Sequence, residues 1–257
     1  MNMEELQENF ISHLMELRER LLRAILAVVL IFFGLFHWSN QIYHLLARPL
    51  LRTLPKGGQL IATEVTAPFF VPLKVTMLTA FLLALPYILY QIWSFIAPGL
   101  YAHEKRLALP LLVASVLLFY CGMAFAYFIV FPVVFGFISG VTPAGVAMMT
   151  DISKYLDFVM TLFLAFGVTF EVPVVVVLLV RVGIVSVAKL REIRPYMIVA
   201  SFVIGAIFTP PDVLSQTMLA VPLWLLYEAG ILVASMSGKP AAASDAEETE
   251  EEAAQAD

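Results

Sequence analysis

The stretch TLFLAFGVTFEVPVVVVLLV, residues Thr161 to Val180, is apolar and contains a single ionisable side chain, Glu171. A helix of this length matches the hydrocarbon core of a bilayer, which is roughly 30 Å thick. A carboxyl group at membrane depth costs on the order of a few kcal/mol, so it is retained mainly for a function or beside a close partner. The stretch therefore predicts a membrane-spanning helix in which Glu171 is a candidate functional residue.

The whole chain is as apolar as this stretch suggests. Hydrophobic residues make up 61% of the sequence and the mean hydropathy is +0.91, which is typical of a polytopic membrane protein. The apolar runs are continuous and do not alternate with period two, so they favour helices over barrel strands. We therefore predict an all-α protein with six transmembrane helices, at Leu21 to Trp38, Leu73 to Ile96, Leu107 to Ile138, Tyr155 to Val180, Pro195 to Phe208 and Val213 to Ala234.

Two of these helices are predicted to be short. The run from Pro195 to Phe208 would extend only roughly 21 Å as a helix, and the last run has 15 residues between Val213 and Tyr227 before Glu228 interrupts it. A tight TPPD turn joins them, so one side of the protein should be thin. Prolines within the apolar runs predict bent helices and a curved bundle: Pro86, Pro110, Pro132, Pro173 and Pro222.

Charge indicates the orientation and the domain limits. With six spans, ten Lys and Arg residues fall on one side and five on the other, which predicts that both termini are cytoplasmic. The first helix lacks a small-residue cleavage site and should remain in the membrane. We expect an amphipathic N-terminal segment at 1–20, the transmembrane domain at 21–234, and a disordered acidic tail at 235–257. The tail carries seven of the 20 acidic residues.

Several function classes are disfavoured. Cys121 is the only cysteine, so an intrachain disulfide and a thiolate metal cluster are excluded. The four histidines have no metal-ligand spacing, and there is no phosphate-binding glycine loop, HExxH motif or nucleophile elbow. We expect no enzymatic activity, no cofactor, no metal and no nucleic-acid partner.

Acidic residues near the predicted cytoplasmic face suggest a site for a cationic ligand. Glu16 lies in the amphipathic lead-in and Glu104 follows the second helix. A guanidinium would suit them, because its fork pairs bidentately with carboxylate. The alternative for Glu104 is a capping role at the start of the third helix. Asp212 and Gln216 are four residues apart, and they indicate either a cap on the sixth helix or a docking edge for a partner helix.

Six motifs in register resemble one family. HLMELRERL, IATEVTAPFF, FIAPGLYAHEKR, FAYFIVFP, FGVTFEVP and TPPDVLSQ, spread between about Ile11 and Ile231, are similar to TatC, the multispanning subunit of the twin-arginine protein translocase. The resemblance implies a receptor in the bacterial inner membrane that recognises twin-arginine signal peptides. With the single-span subunits TatA and TatB, such a receptor exports folded proteins on the proton-motive force as part of a multimeric complex.

The resemblance also implies roles for particular residues. The signal-binding positions fall on Phe95, Glu104, Glu16 and Arg18, and the intramembrane glutamate falls on Glu171. Pro49 would belong to an outer cap. Partner-docking positions would be Thr209, Asp212 and Gln216.

Two other classes of protein stay open at this point. A secondary transporter or proton channel would use Glu171 as a relay, but inverted repeats and further ionisable core residues are missing from the sequence. A structural scaffold would keep all its activity when Glu104 is removed.

Overall fold

The described part of the protein is almost entirely helical. A computed structural model describes residues 3–53, 59–96, 108–141, 149–209 and 212–236. Its α-helices are α1 Met3–Leu35, α2 Ser39–Thr53, α3 Ala67–Ile96, α4 Ala108–Phe125, α5 Phe131–Val141, α6 Ile152–Phe170, α7 Val172–Arg181, α8 Val187–Glu192, α9 Arg194–Phe208 and α10 Val213–Met236. A 3-10 turn at Phe36–Trp38 separates α1 from α2, and a π-helical turn at Ala126–Val130 separates α4 from α5.

The described residues contain five segments long and apolar enough to cross a membrane. They are Ile11–Ala47, Ala67–Ile96, Leu109–Gly140, Ile152–Arg181 and Val213–Met236. Large apolar side chains on several of them are exposed, among them Phe33 and Phe128 at 68% and 72%, as expected for a surface that faces lipid. The all-α membrane class is therefore confirmed, whereas six spanning helices are not, because α9 has only 15 residues.

The prediction that the sixth helix is short is wrong. The last helix, α10, has 24 residues and continues through Glu228 to Met236. Arg194 Nη2 lies 2.6 Å from Glu228 Oε2, so the Glu228 carboxylate forms an ion pair with the first residue of α9 and does not end the helix. A paired carboxylate can remain at a helix position where an isolated one would be costly.

The chain divides into two compact units. The first contains Met1–Gly99 and Phe135–Met160. In it α1 and α2 pack along α3, and Ala67, Val71, Val75 and Leu156 form a buried cluster. Two short strands, β1 Gln59–Ile61 and β2 Met149–Asp151, pair in parallel with Leu60 opposite Thr150. No pattern in the sequence predicts this sheet, because each strand has three residues and its partner is about 90 positions away.

The second unit contains Leu100–Val134 and Thr161–Asp257. Here α10 packs against α7 and α9, and Gly230 lies so close to Pro173 that an added Cβ would be 2.9 Å from the Pro173 Cα atom. A buried cluster joins α7, α8 and α10 and contains Val176, Val177, Val180, Leu190, Tyr227, Ile231 and Ala234. The Tyr227 hydroxyl donates to the Leu190 carbonyl at 2.8 Å, which fixes α8 to α10.

The prolines within the apolar runs, which predict bent helices, have different effects on the helices that contain them. Pro86 and Pro222 lie inside α3 and α10 without ending either helix. Pro173 lies in the first turn of α7, where proline is well tolerated, directly after the break at Glu171.

The curved bundle stays a prediction, and so do the limits 1–20, 21–234 and 235–257. Most of the acidic tail lies outside the described residues, and α1 runs without a break through residue 20.

Asp151 ties the short sheet to the start of α6. Its Oδ1 accepts from the backbone N–H groups of Ser153 and Lys154 at 2.8 and 2.9 Å. Its Oδ2 accepts from the Thr63 hydroxyl at 2.5 Å and from the Thr63 backbone N–H at 3.1 Å. The side-chain bond from Thr63 and these backbone bonds lower the pKa of Asp151 from 3.8 to about 2.

We expect Asp151→Asn to change the pH dependence of stability. The folded pKa is depressed, so the charged carboxylate stabilises the fold above about pH 4, and that contribution is lost as the pH falls through about 2. Thermal unfolding in detergent should show wild type more stable than the variant near about pH 6, with the gap closing at lower pH. Glu64→Gln, at an exposed acid next to Thr63, is the control. A gap between wild type and Asp151→Asn that is constant with pH would contradict this role.

Candidate functional site

Glu16 is the centre of a polar group on the N-terminal part of α1. Its Oε1 accepts from Arg20 Nε at 2.9 Å and from Arg20 Nη2 at 2.6 Å, and its Oε2 lies 3.9 Å from His13 Nδ1. Residues 13, 16 and 20 lie on one helical face because they are three and four positions apart. The Glu16 carboxylate is therefore held in place by its own helix.

This face of α1 is turned toward the C-terminal end of α3. The His13 ring stacks on Phe95, with centroids 4.2 Å apart and planes at 21°. Arg20 Nη1 is 3.4 Å from the Oε1 atom of Gln91, which is buried. The two predicted signal-binding residues Glu16 and Phe95 are thus brought to one place, with His13 between them.

An apolar groove adjoins this group. It has a volume of about 300 Å³ and lies between α1 and α3. Its lining includes Leu17, Arg20, Ile88, Gln91, Ile92 and Phe95. An apolar groove with a carboxylate at its edge is suited to an extended or helical segment that carries a cation next to a hydrophobic run.

The other predicted members of the signal site are placed differently. Arg18 is exposed, has no ion-pair partner among the described residues, and lines a depression along α1 together with Glu16 and Glu19. Glu104 lies outside the described residues. Pro49 lies within α2, and the structure describes only its backbone.

Glu171 is located at the turn between α6 and α7. The Ser115 hydroxyl of α4 is hydrogen-bonded to the Glu171 carboxyl group. Glu171 Oε1 is buried and has no hydrogen-bond partner among the described residues. The Glu171 side chain is partly buried. It makes one hydrogen bond, with Ser115, while its Oε1 atom is an acceptor without a donor among the described residues. The role of Glu171 as an intramembrane polar residue stays a prediction, and Ser115 is a neighbour that the sequence did not reveal.

The three predicted docking residues lie around the α9–α10 turn. Thr209 ends α9 and donates its hydroxyl to the Gly205 carbonyl at 2.8 Å. Asp212 Oδ1 accepts from the Ser215 backbone N–H at 2.7 Å, which confirms the capping interpretation of Asp212. Gln216 Nε2 donates to the Phe202 carbonyl at 2.9 Å. The amide of Gln216 is therefore already engaged by α9, and partner docking at these residues stays a prediction.

Sequence reasoning missed three contributors to the α1–α3 site: His13, Arg20 and Gln91. The spacing of His13, Glu16 and Arg20 was visible as an i, i+3 and i+4 pattern on a helix. Gln91 had no local signal, because its contact with Arg20 joins residues that are 71 positions apart.

The five segments of the described residues that are long and apolar enough to cross a membrane define a multi-pass membrane protein. The family model for the Sec-independent protein translocase protein TatC matches residues 12–222. The chain belongs to the TatC family, and is thus a subunit of the twin-arginine, or Sec-independent, protein translocase.

Relatives support this membership over nearly the full chain. A TatC protein from Azotobacter chroococcum is 61% identical over 221 residues, which cover 86% of this chain and 87% of the relative. TatC from Escherichia coli K12 is 55% identical, covering 90% of this chain and 89% of the relative. A crystal structure described as the twin-arginine translocase receptor TatC aligns with a TM-score of 0.77 and 40% identity, covering 87% of this chain and 98% of that one.

Proposed function

We propose that this protein is the signal-peptide receptor and core subunit of the twin-arginine translocase. It recognises paired arginines in the signal peptides of folded proteins and exports those proteins across the bacterial inner membrane on the proton-motive force. TatA and TatB are its partners, and the receptor works within a multimeric complex. Both termini face the cytoplasm, which requires α9 to cross the membrane as a short sixth span and agrees with the ten-to-five division of Lys and Arg counted for six spans.

The observation that carries this proposal is the Glu16 carboxylate, which His13 connects to Phe95 and which bonds Arg20 in the lining of an apolar groove. A signal peptide of this type presents a cationic pair followed by an apolar segment. The carboxylate offers acceptors to a guanidinium, and the groove between α1 and α3 offers apolar contact to the segment that follows. Glu104 is the second proposed acceptor, and Arg18 borders the same acidic group from the exposed side of α1.

Arginine is preferred over lysine for a geometric reason. The guanidinium presents several N–H donors in a rigid plane, and two of them can bond one carboxylate at once. The pair formed by Arg20 with Glu16 is an internal example, since two nitrogens of one guanidinium bond Oε1. An ammonium group is a compact, strongly hydrated charge and cannot reproduce this arrangement.

Binding of a twin-arginine peptide tests the proposal. Full-length protein in lipid nanodiscs should bind a labelled twin-arginine peptide more tightly than its twin-lysine counterpart. Glu16→Gln and Glu104→Ala should each weaken the twin-arginine complex by about 10-fold or more, because each removes a charge-assisted hydrogen bond.

Glu19→Gln is the matched control, because Glu19 pairs with Arg23 on the same helix and both side chains are mostly exposed. The affinity of the Glu19→Gln variant for the twin-arginine peptide should equal that of wild type. Equal binding of both peptides by wild type would refute the receptor function. A loss in Glu19→Gln as large as in Glu16→Gln would instead indicate a general charge effect.

A further inference from the structure

The acceptor that we assign to the signal is already occupied by an arginine of the protein itself. Arg20 bonds Glu16 through Nε and Nη2, at 2.9 and 2.6 Å. The pair is neutral overall, and it uses the same chemistry that an incoming guanidinium would use. A signal arginine that binds Glu16 Oε1 must therefore replace Arg20.

A comparison with the neighbouring Glu19–Arg23 ion pair shows that Arg20 is less exposed than an otherwise equivalent arginine of the same helix. Glu19 and Arg23 have the same i, i+4 spacing and a contact of 2.5 Å, but their side chains are 65% and 54% exposed. Those of Glu16 and Arg20 are only 36% and 22% exposed. Of these two arginines, Arg20 alone lines the apolar groove.

A second acceptor for Arg20 is within reach. Gln91 Oε1 lies 3.4 Å from Arg20 Nη1, which is about 0.5 Å longer than a good N–H···O hydrogen bond. Gln91 is buried at 5% exposure on the facing helix. A small movement of the guanidinium away from Glu16 would shorten the contact with Gln91 and keep the Arg20 charge hydrogen-bonded.

We propose that Arg20 is an internal competitor for the signal-binding carboxylate, and that Gln91 accepts Arg20 when a signal arginine displaces it from Glu16. This inference rests on the proposed receptor function. Its consequence is a weaker and more reversible complex, because part of the binding free energy replaces the Glu16–Arg20 pair. The cost of releasing Arg20 is the same for every ligand, so Arg20 sets the affinity and leaves the ratio between arginine and lysine peptides unchanged.

The test compares single variants of full-length protein in nanodiscs, using labelled twin-arginine and twin-lysine peptides. Arg20→Gln should raise the affinity for both peptides by the same factor, about 2- to 10-fold, which is the range expected for losing one competing ion pair. Arg23→Gln removes the same charge one turn away and should leave the affinity unchanged. Arg20→Lys should lie between wild type and Arg20→Gln, since the ammonium still competes but lacks the fork.

Gln91 is tested by a double-mutant cycle. Gln91→Met should weaken peptide binding in the wild-type background, because displaced Arg20 loses its second acceptor. The same substitution should have no effect in the Arg20→Gln background. Thermal unfolding of each variant checks that the fold is kept.

The outcomes separate this inference from the receptor function. If wild type prefers arginine but Arg20→Gln binds equally or more weakly, the competitor is refuted and the receptor stands. If Arg23→Gln raises the peptide affinity as much as Arg20→Gln does, the effect comes from net charge, and the proposal that Arg20 competes for Glu16 is again refuted. If wild type does not distinguish the two peptides, both proposals fail.

Discussion

Replacing Gly122 by alanine should sharply lower the amount of folded protein. Gly122 lies in α4 where it crosses α6, and an added Cβ would be closer than 3.0 Å to the carbonyl oxygen of Phe166 and 2.9 Å from its carbon. These are backbone atoms of a neighbouring helix, so the clash cannot be relieved by a side-chain rotation. Close crossings of this kind in membranes depend on small residues, because helix association there relies on van der Waals packing.

The expected destabilisation is about 1–3 kcal/mol or more, the usual cost of overpacking a tight contact. Gly167→Ala should be milder, because its added Cβ would meet only side-chain atoms, those of the Phe119 ring, and no backbone atom is among its nearest contacts. Thermal unfolding in detergent, followed by size-exclusion chromatography, measures both effects.

Gly136→Ala provides the matched control. Gly136 lies in α5, and among the described residues no atom outside its own stretch of helix would be within 4 Å of its added Cβ. The same substitution should here be neutral or stabilising by up to about 1 kcal/mol, since alanine has the higher helix propensity. A Gly122→Ala variant as stable as Gly136→Ala would show that α4 and α6 can separate without cost.

The apolar helices were predictable because hydropathy is a local property. The region expected to end at Ile96 ends there in α3, whereas the first region, expected to end at Trp38, belongs to a segment that continues beyond the 3-10 turn at Phe36–Trp38 to Ala47. The length of α10 was not predictable, because Glu228 is neutralised by Arg194, 34 positions earlier in the chain. The β1–β2 sheet was missed for the same kind of reason, since its stability depends on partners that are distant in sequence.

The candidate site was predictable only in part. Glu16 is predicted from the acidic residues near the cytoplasmic face, Phe95 is implied by the family resemblance, and the structure adds that His13 connects them. The role inferred for Arg20 needs the position of α3, which no pattern within α1 contains. Asp212 was predictable as a cap because capping is local, whereas the engagement of Gln216 by the Phe202 carbonyl is a contact between two helices.

Replacing Glu171 by leucine should reduce transport far more than replacing it by glutamine. The buried Oε1 atom has no hydrogen-bond partner among the described residues, and a buried acceptor left unpaired costs about 1–3 kcal/mol. We propose that a polar group of a partner helix satisfies this atom during transport. Glutamine keeps a donor and an acceptor of similar size, whereas leucine keeps only the volume.

Export of a folded fluorescent reporter in cells, normalised to the amount of each variant in the membrane, measures this difference. Glutamine should retain most of the activity, and leucine should lose about 10-fold, equivalent to about 1.4 kcal/mol for one hydrogen bond. Full activity in both variants would eliminate the hydrogen-bond role. Loss of export in both variants would mean that a carboxylate is needed at this position. Proton flux through the isolated protein, measured with and without Glu171→Gln, would then test whether Glu171 acts as the proton relay of a channel. Flux that Glu171→Gln abolishes in the lone protein would favour the channel over the receptor, since a receptor subunit needs its partners to move anything across the membrane.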